Sequence, residues 1–165
     1  DLYKNLINQL EVGEKLIFIR HAYAPGNGDP TGFNLNDCST QRNLSENGRK
    51  QAQRIGQFFN KNEIKIDKVL SSEWCRCKET AKIAFKNYST NSFLNSFYSS
   101  KFSKNKDKQV KAFNNYIKNL ESKKNLILVT HYVFISEVLN YGPSSGEIVV
   151  SDKNFNIIGN IEINF

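Results

Sequence analysis

Leu2, Leu6, Ile7 and Leu10 recur at helical spacing, and the unbroken apolar run that follows predicts a buried strand over residues 15–20. In "NLSENGRKQAQRIGQFFNKN", Ala52, Ile55, Phe58 and Phe59 share one face, Ser45 suits an N-cap, and Glu46 suits the positive helix end. These features predict a helix over about 46–61. "IDKVLSS" reads as a short strand, and "EWCRCKETAKIAFKN" as a helix that begins directly after it. Val110, Phe113, Ile117 and Leu120 predict a helix over about 107–121, and "NLILVT" at 125–130 is a continuous apolar strand stopped by His131. "YVFISEVLN" predicts one more helix. "GEIVVSD" and "FNIIGNIEINF" predict two closing strands, the second antiparallel at an edge. Residues 22–43 hold three glycines with Pro25 and Pro30, and read as a long loop of the kind that tends to be functional. Residues 87–105, dense in Ser, Asn, Phe and Lys without a period, read as a loop or irregular cap.

Strands that alternate with helices predict a three-layer α/β/α sandwich with a mostly parallel sheet and one antiparallel edge strand. A chain of 165 residues suits a single domain, residues 1–165, with one core. No stretch approaches the ~18 to 20 apolar residues of a membrane span, so no stable membrane insertion is expected. The 23 Lys and Arg against 16 Asp and Glu leave a net charge of +7, which favours anionic partners. The lysines are scattered or gathered in the run from Lys101 to Lys111, the pattern of a solvated face. A phosphorylated small molecule is therefore expected in preference to nucleic acid. Monomer is the default oligomeric state. The chain starts at Asp1 and contains no Met, as expected where the initiator has been removed, so the absence of a signal peptide does not argue against export. Cys38, Cys75 and Cys77 lack metal-ligand spacing. A bridge from Cys38 to Cys75 or to Cys77, and three buried thiols, stay open as alternatives.

The chain has two histidines, His21 and His131, and each directly follows an apolar strand. Arg20 stands beside the first, and Arg76 opens the helix after "VLSS". In a parallel sheet the carboxyl ends of the strands form the ligand edge, where helix N-termini also point. Two guanidiniums there offer forked donors to phosphate oxygens. An imidazole among them would stay unprotonated and nucleophilic, and the arginines would offset charge on a transferring phosphoryl group. Metal binding by the two histidines is disfavoured because arginines repel cations, and no cofactor is called for.

"IRHA" at 19–22, "LSENGRKQA" at 44–52, "SSEWCRCKETA" at 71–81 and "VTH" at 129–131 resemble, in order, the four signatures of the histidine phosphatase superfamily, with its phosphoglycerate-mutase-like fold. The resemblance implies a covalent phosphohistidine on His21, with Arg20, Arg76 and His131 binding the phosphoryl group. It also implies that Asn27 donates to the phosphate. "GNGDP", "DCSTQRNLS" and "SGEIVV" resemble small bacterial, often exported members related to the lipopolysaccharide-core heptose phosphate phosphatases. That implies a periplasmic or exported location, with the cytoplasm as the alternative, and favours a Cys38 disulfide.

The chain departs from the family where the proton donor is concerned. Residues 87–100 contain no acid, and the position after His131 holds Tyr132 rather than Asp. Asp29 and Asp37 in the long loop are the candidate donors, although Asp29 before Pro30 also suits a turn. The expected activity is metal-independent hydrolysis of a phosphomonoester, a sugar phosphate being favoured. The alternatives are a phosphohistidine (phosphoramide) phosphatase and a catalytically weak phosphate-binding module.

Overall fold

In the computed structural model, which describes residues 1–165, the first apolar run forms β1 (Leu16–Arg20) at the middle of a six-stranded sheet. The other strands are β2 (Ile66–Ser71), β3 (Ser89–Thr90), β4 (Asn125–Thr130), β5 (Ile148–Ser151) and β6 (Ile157–Ile161), in spatial order β3-β2-β4-β1-β5-β6. β1 pairs with β4, β4 with β2, and β2 with β3, all parallel. β5 is antiparallel to β1, and β6, at the edge as expected, is antiparallel to β5.

Side chains alternate between the two faces, as strand geometry requires. Ile17, Ile19, Ile127, Val129, Ile148 and Val150 face one core, where they meet α1 (Leu2–Val12), α2 (Glu46–Lys61) and α3 (Cys75–Phe85). Leu16, Phe18, Leu126, Leu128 and Val149 face the other, against α4 (Lys106–Lys118) and α5 (Tyr132–Leu139). Covering on both faces is why β1 and β4 are apolar without interruption. The result is the three-layer sandwich. No helix is long and apolar enough to cross a membrane.

The element ends follow local chemistry. The Ser45 side chain caps α2 by accepting from the Gly48 amide at 3.1 Å. Gly48 is required by close approach: a Cβ there would collide with the Tyr23 carbonyl oxygen, so α2 rests directly on the chain leaving β1. The stretch 87–105 differs from the expected plain loop. It carries β3 and short 3₁₀ turns at Ser92–Leu94 and Ser103–Asn105, and it buries Phe93, Leu94 and Phe97 in the second core. Two exposed residues, Ser89 and Thr90, make β3 too short and too polar to show an alternation. Of the three cysteines, Cys38 and Cys75 form a disulfide, and Cys77 is free and buried.

Candidate active site

Parallel pairing sets Arg20 opposite Thr130, so the next residue on each strand, His21 and His131, emerges at the same sheet edge. Their ring centroids are 5.7 Å apart. Two side chains from the sequence signatures hold the exit from β1. Thr80 Oγ1 accepts from the Ala22 amide at 3.0 Å, and Gln51 Oε1 accepts from the Tyr23 amide at 2.9 Å. On the other side β2 ends at Ser71, and the Ser72 hydroxyl lies 2.8 Å from His131 Nε2. α3 starts three residues later, which places Arg76 in its first turn.

The His21 ring is 2% exposed, and its Nδ1 lies 2.8 Å from the Ala22 carbonyl oxygen. A carbonyl can only accept, so Nδ1 carries the hydrogen and Nε2 keeps its lone pair. Arg76 Nε donates to that Nε2 at 3.2 Å. Burial, and then the charge of Arg76, hold the His21 pKa well below the ordinary 6.5. Burial and Arg76 do the same to His131. Both rings are neutral at pH 7.

Arg20 donates from Nη1 to the Pro143 carbonyl at 2.9 Å, and its guanidinium carbon lies 5.3 Å from the centre of the Tyr132 ring. Its Nε is buried and has no hydrogen-bond partner in the protein. These arginines and histidines line a cavity of about 320 Å³, together with Asn27, which is exposed and makes no hydrogen bond to the protein through its side chain.

Asp29 also reaches the cavity, and it is tied to the arginine expected to hold phosphate. Arg76 grips it from both terminal nitrogens, Nη1 to Oδ1 at 2.8 Å and Nη2 to Oδ2 at 3.4 Å. Trp74 Nε1 donates to Oδ2 at 3.0 Å, and the Arg42 amide donates to Oδ1 at 3.3 Å. Asp37 requires a correction. Its carboxylate caps the 3₁₀ turn Cys38–Thr40 by accepting from the Ser39 amide and hydroxyl, and it lies outside the cavity. An Asp directly before a short run of turn formers is cap chemistry, so Asp37 is removed as a proton donor.

Sequence reasoning did not single out Arg42, which lines the cavity as well. Its Nε donates to the Gly28 carbonyl at 2.6 Å and its Nη1 to the Ala24 carbonyl, so the side chain braces the loop from within. Burial, with Arg76 close by, lowers its pKa to about 10, which leaves it cationic at neutral pH. The signal available was its place in "DCSTQRNLS", but no strand end marked it. Cys77 Sγ lies 3.5 Å from His131 Nε2, yet burial pushes its thiol up to about 12, so it serves as a small apolar side chain. No three His, Cys, Asp or Glu side chains cluster as metal ligands.

A tetrahedral anion fits this arrangement. Arg20 and Arg76 line the cavity with a neutral imidazole whose Nε2 lone pair accepts from Arg76 Nε, and His131 adds a second ring at the same edge.

Residues 16–93 match the family model of the Histidine phosphatase superfamily (branch 1). Three solved structures share the fold. The protein TTHB049 from Thermus thermophilus is 16% identical with a TM-score of 0.63, over 91% of this chain and 99% of that one. The protein histidine phosphatase SixA, complexed with tungstate, is 14% identical with a TM-score of 0.55, over 92% and 94%. A mycobacterial glucosyl-3-phosphoglycerate phosphatase, Rv2419c, complexed with VO3, is 13% identical with a TM-score of 0.60, over 83% and 92%. No curated protein matches the chain in sequence.

Proposed function

We propose that the chain is a histidine phosphatase that hydrolyses a small phosphomonoester through a covalent phosphohistidine on His21. The observation that carries this reading is the His21 ring itself, with Nδ1 held by the Ala22 carbonyl and the Nε2 lone pair accepting from Arg76 Nε, a donor that turns to the phosphoryl oxygens when substrate arrives. In the first step Nε2 attacks phosphorus in line, the N–P bond forms, and the P–O bond to the leaving group breaks. Arg20 and Arg76 hold the phosphoryl oxygens, with His131 and Asn27 as further contacts. The departing oxygen needs a proton. The arriving phosphomonoester monoanion displaces the Asp29 carboxylate from Arg76, and its acidic proton passes through Asp29 to the departing oxygen. In the second step Asp29 takes a proton from water, the water oxygen attacks phosphorus, and the N–P bond breaks. Asp29 passes that proton to the phosphate, which leaves as the monoanion; the carboxylate pairs with Arg76 again, and Nε2 has its lone pair back.

One observation favours a second reading, a phosphoramide phosphatase acting on phosphohistidine. Both Asp29 oxygens are occupied by N–H donors, and a nitrogen leaving group that already carries its proton needs no donor from the protein. Within the first reading, a sugar phosphate of the heptose phosphate type is the favoured substrate, supported by the resemblance of "GNGDP", "DCSTQRNLS" and "SGEIVV". An exported, oxidising location accompanies it, and the Cys38–Cys75 bridge supports that. Recovery of the protein with cytosolic markers on cell fractionation would count against export.

The deciding experiment is hydrolysis of para-nitrophenyl phosphate and of phosphoramidate by wild type and His21→Ala, with acid-labile, base-stable phosphoenzyme trapped in parallel. Loss of turnover and of the phosphoenzyme in His21→Ala, with the fold intact, is expected. Retention of most activity would overturn the mechanism. Binding of phosphate without turnover of either substrate by the wild type would mark a phosphate-binding module.

A further inference from the structure

Few large apolar side chains are left exposed on this molecule, and two of them line the cavity that holds His21: Tyr98, 64% exposed, and Tyr132, 45% exposed. They come from different elements, Tyr98 from the irregular stretch after β3 and Tyr132 from the first position of α5. The Tyr98 ring lies over Gly28, where a Cβ would sit 3.5 Å from it. Phe102 lines the same wall and is held edge-on to Trp74, with centroids 5.4 Å apart.

The charges of the cavity sit elsewhere. Arg20 and Arg76 stand at His21, Arg42 is engaged with loop carbonyls, and Asp29 is engaged with Arg76. The lining includes no lysine and no acid besides Asp29, so nothing is placed to recognise a second phosphate, a carboxylate or an amine on the leaving group. The wall does hold polar, uncharged groups. The hydroxyls of Ser96 and Ser99 accept from the amides of Tyr98 and Lys101, which leaves their own hydrogens to donate. At about 320 Å³ the cavity is near the small end of ligand pockets, roughly 300 to 1,000 Å³.

Resting on the phosphatase reading above, we propose that the leaving group is an uncharged ring whose flat face lies against Tyr98 and Tyr132. An aryl group and a sugar share this chemistry, since each presents an apolar face to an aromatic ring. Tyr98 is the specificity-determining residue.

The test is kcat/KM for benzyl phosphate, glucose 6-phosphate, glycerol 3-phosphate and 3-phosphoglycerate, all of which release a primary alcohol, with phosphoramidate as a reference that carries no organic group. The expected result is a preference of about tenfold or more for a ring substrate over both acyclic ones, the effect of roughly one aromatic contact. Preference for benzyl phosphate identifies an aryl group, and preference for glucose 6-phosphate a sugar. Tyr98→Ala should remove the preference, with turnover of the ring substrate falling further than that of phosphoramidate, while Tyr98→Phe keeps it. Equal rates for ring and acyclic substrates, a preference for 3-phosphoglycerate, or an equal fall for phosphoramidate in Tyr98→Ala would each overturn the proposal with the phosphatase reading still standing. No turnover of any substrate, with no phosphoenzyme, would overturn both.

Discussion

Under the proposed phosphatase reading, the Asp29 carboxylate is what separates cleavage of an ester from cleavage of a phosphoramide. Asp29 accepts from Arg76, Trp74 and the Arg42 amide, so in the free protein it occupies the donors that a phosphoryl group needs. If Asp29 supplies the proton, Asp29→Asn should lower turnover of an alkyl phosphate by ~10²- to 10⁴-fold and leave phosphoramidate turnover near wild type. An equal fall on both substrates would make Asp29 a positioning residue that orients Arg76, and would favour the phosphoramide reading. The residues that sequence alone could place are those anchored by a strand end. His21, Arg20 and His131 stand where an apolar run stops, and Arg76 is fixed by the helix that follows one. Asp29 and Arg42 sit inside a 22-residue loop whose course depends on contacts with α3 and with its own carbonyls, and neither leaves a period in the chain. Asp37 shows the converse error, an acid chosen by loop membership whose carboxylate serves the nearest turn.

Helices and long strands were legible because each has a repeat and a chemical end, as with Ser45 at the start of α2. β3 has neither. The loop that carries Asn27 and Asp29 is fastened to α3 by the Cys38–Cys75 disulfide, by the Cys75 amide donating to Gln41 Oε1 at 3.0 Å and by the grip of Arg76 on Asp29. Cys75 immediately precedes Arg76, so the bridge joins the loop to the helix turn that supplies the phosphate arginine. With 37 residues separating the two cysteines, chain entropy assigns the bridge roughly 3 to 4 kcal/mol. Reduction, or Cys38→Ser with Cys75→Ser, should lower the urea midpoint accordingly. An unchanged midpoint on adding dithiothreitol would show that the noncovalent contacts suffice.

At the scale of the molecule, the two buried neutral histidines make stability depend on pH. Both pKa values lie well below the ordinary 6.5, from burial first and Arg76 second. As pH falls below about 6.5 the unfolded chain takes up protons that the folded one refuses, so stability is complete above that pH and declines beneath it. The decline is up to about 1.4 kcal/mol per pH unit for each histidine. Urea unfolding between pH 7 and 5 should show it, and replacing both histidines by Asn should flatten the slope; a wild-type slope near zero would contradict the burial of neutral rings. The strand order carries a consequence in time. β1 is synthesised before both of its neighbours, since β4 begins at Asn125 and β5 at Ile148. Until those strands are made Leu16–Ile19 has no native partner, and the nascent chain carries an unpaired apolar edge that invites chaperone capture. His21 waits equally long for His131, so a polypeptide truncated before β4 would hold the proposed nucleophile without the rest of its cavity.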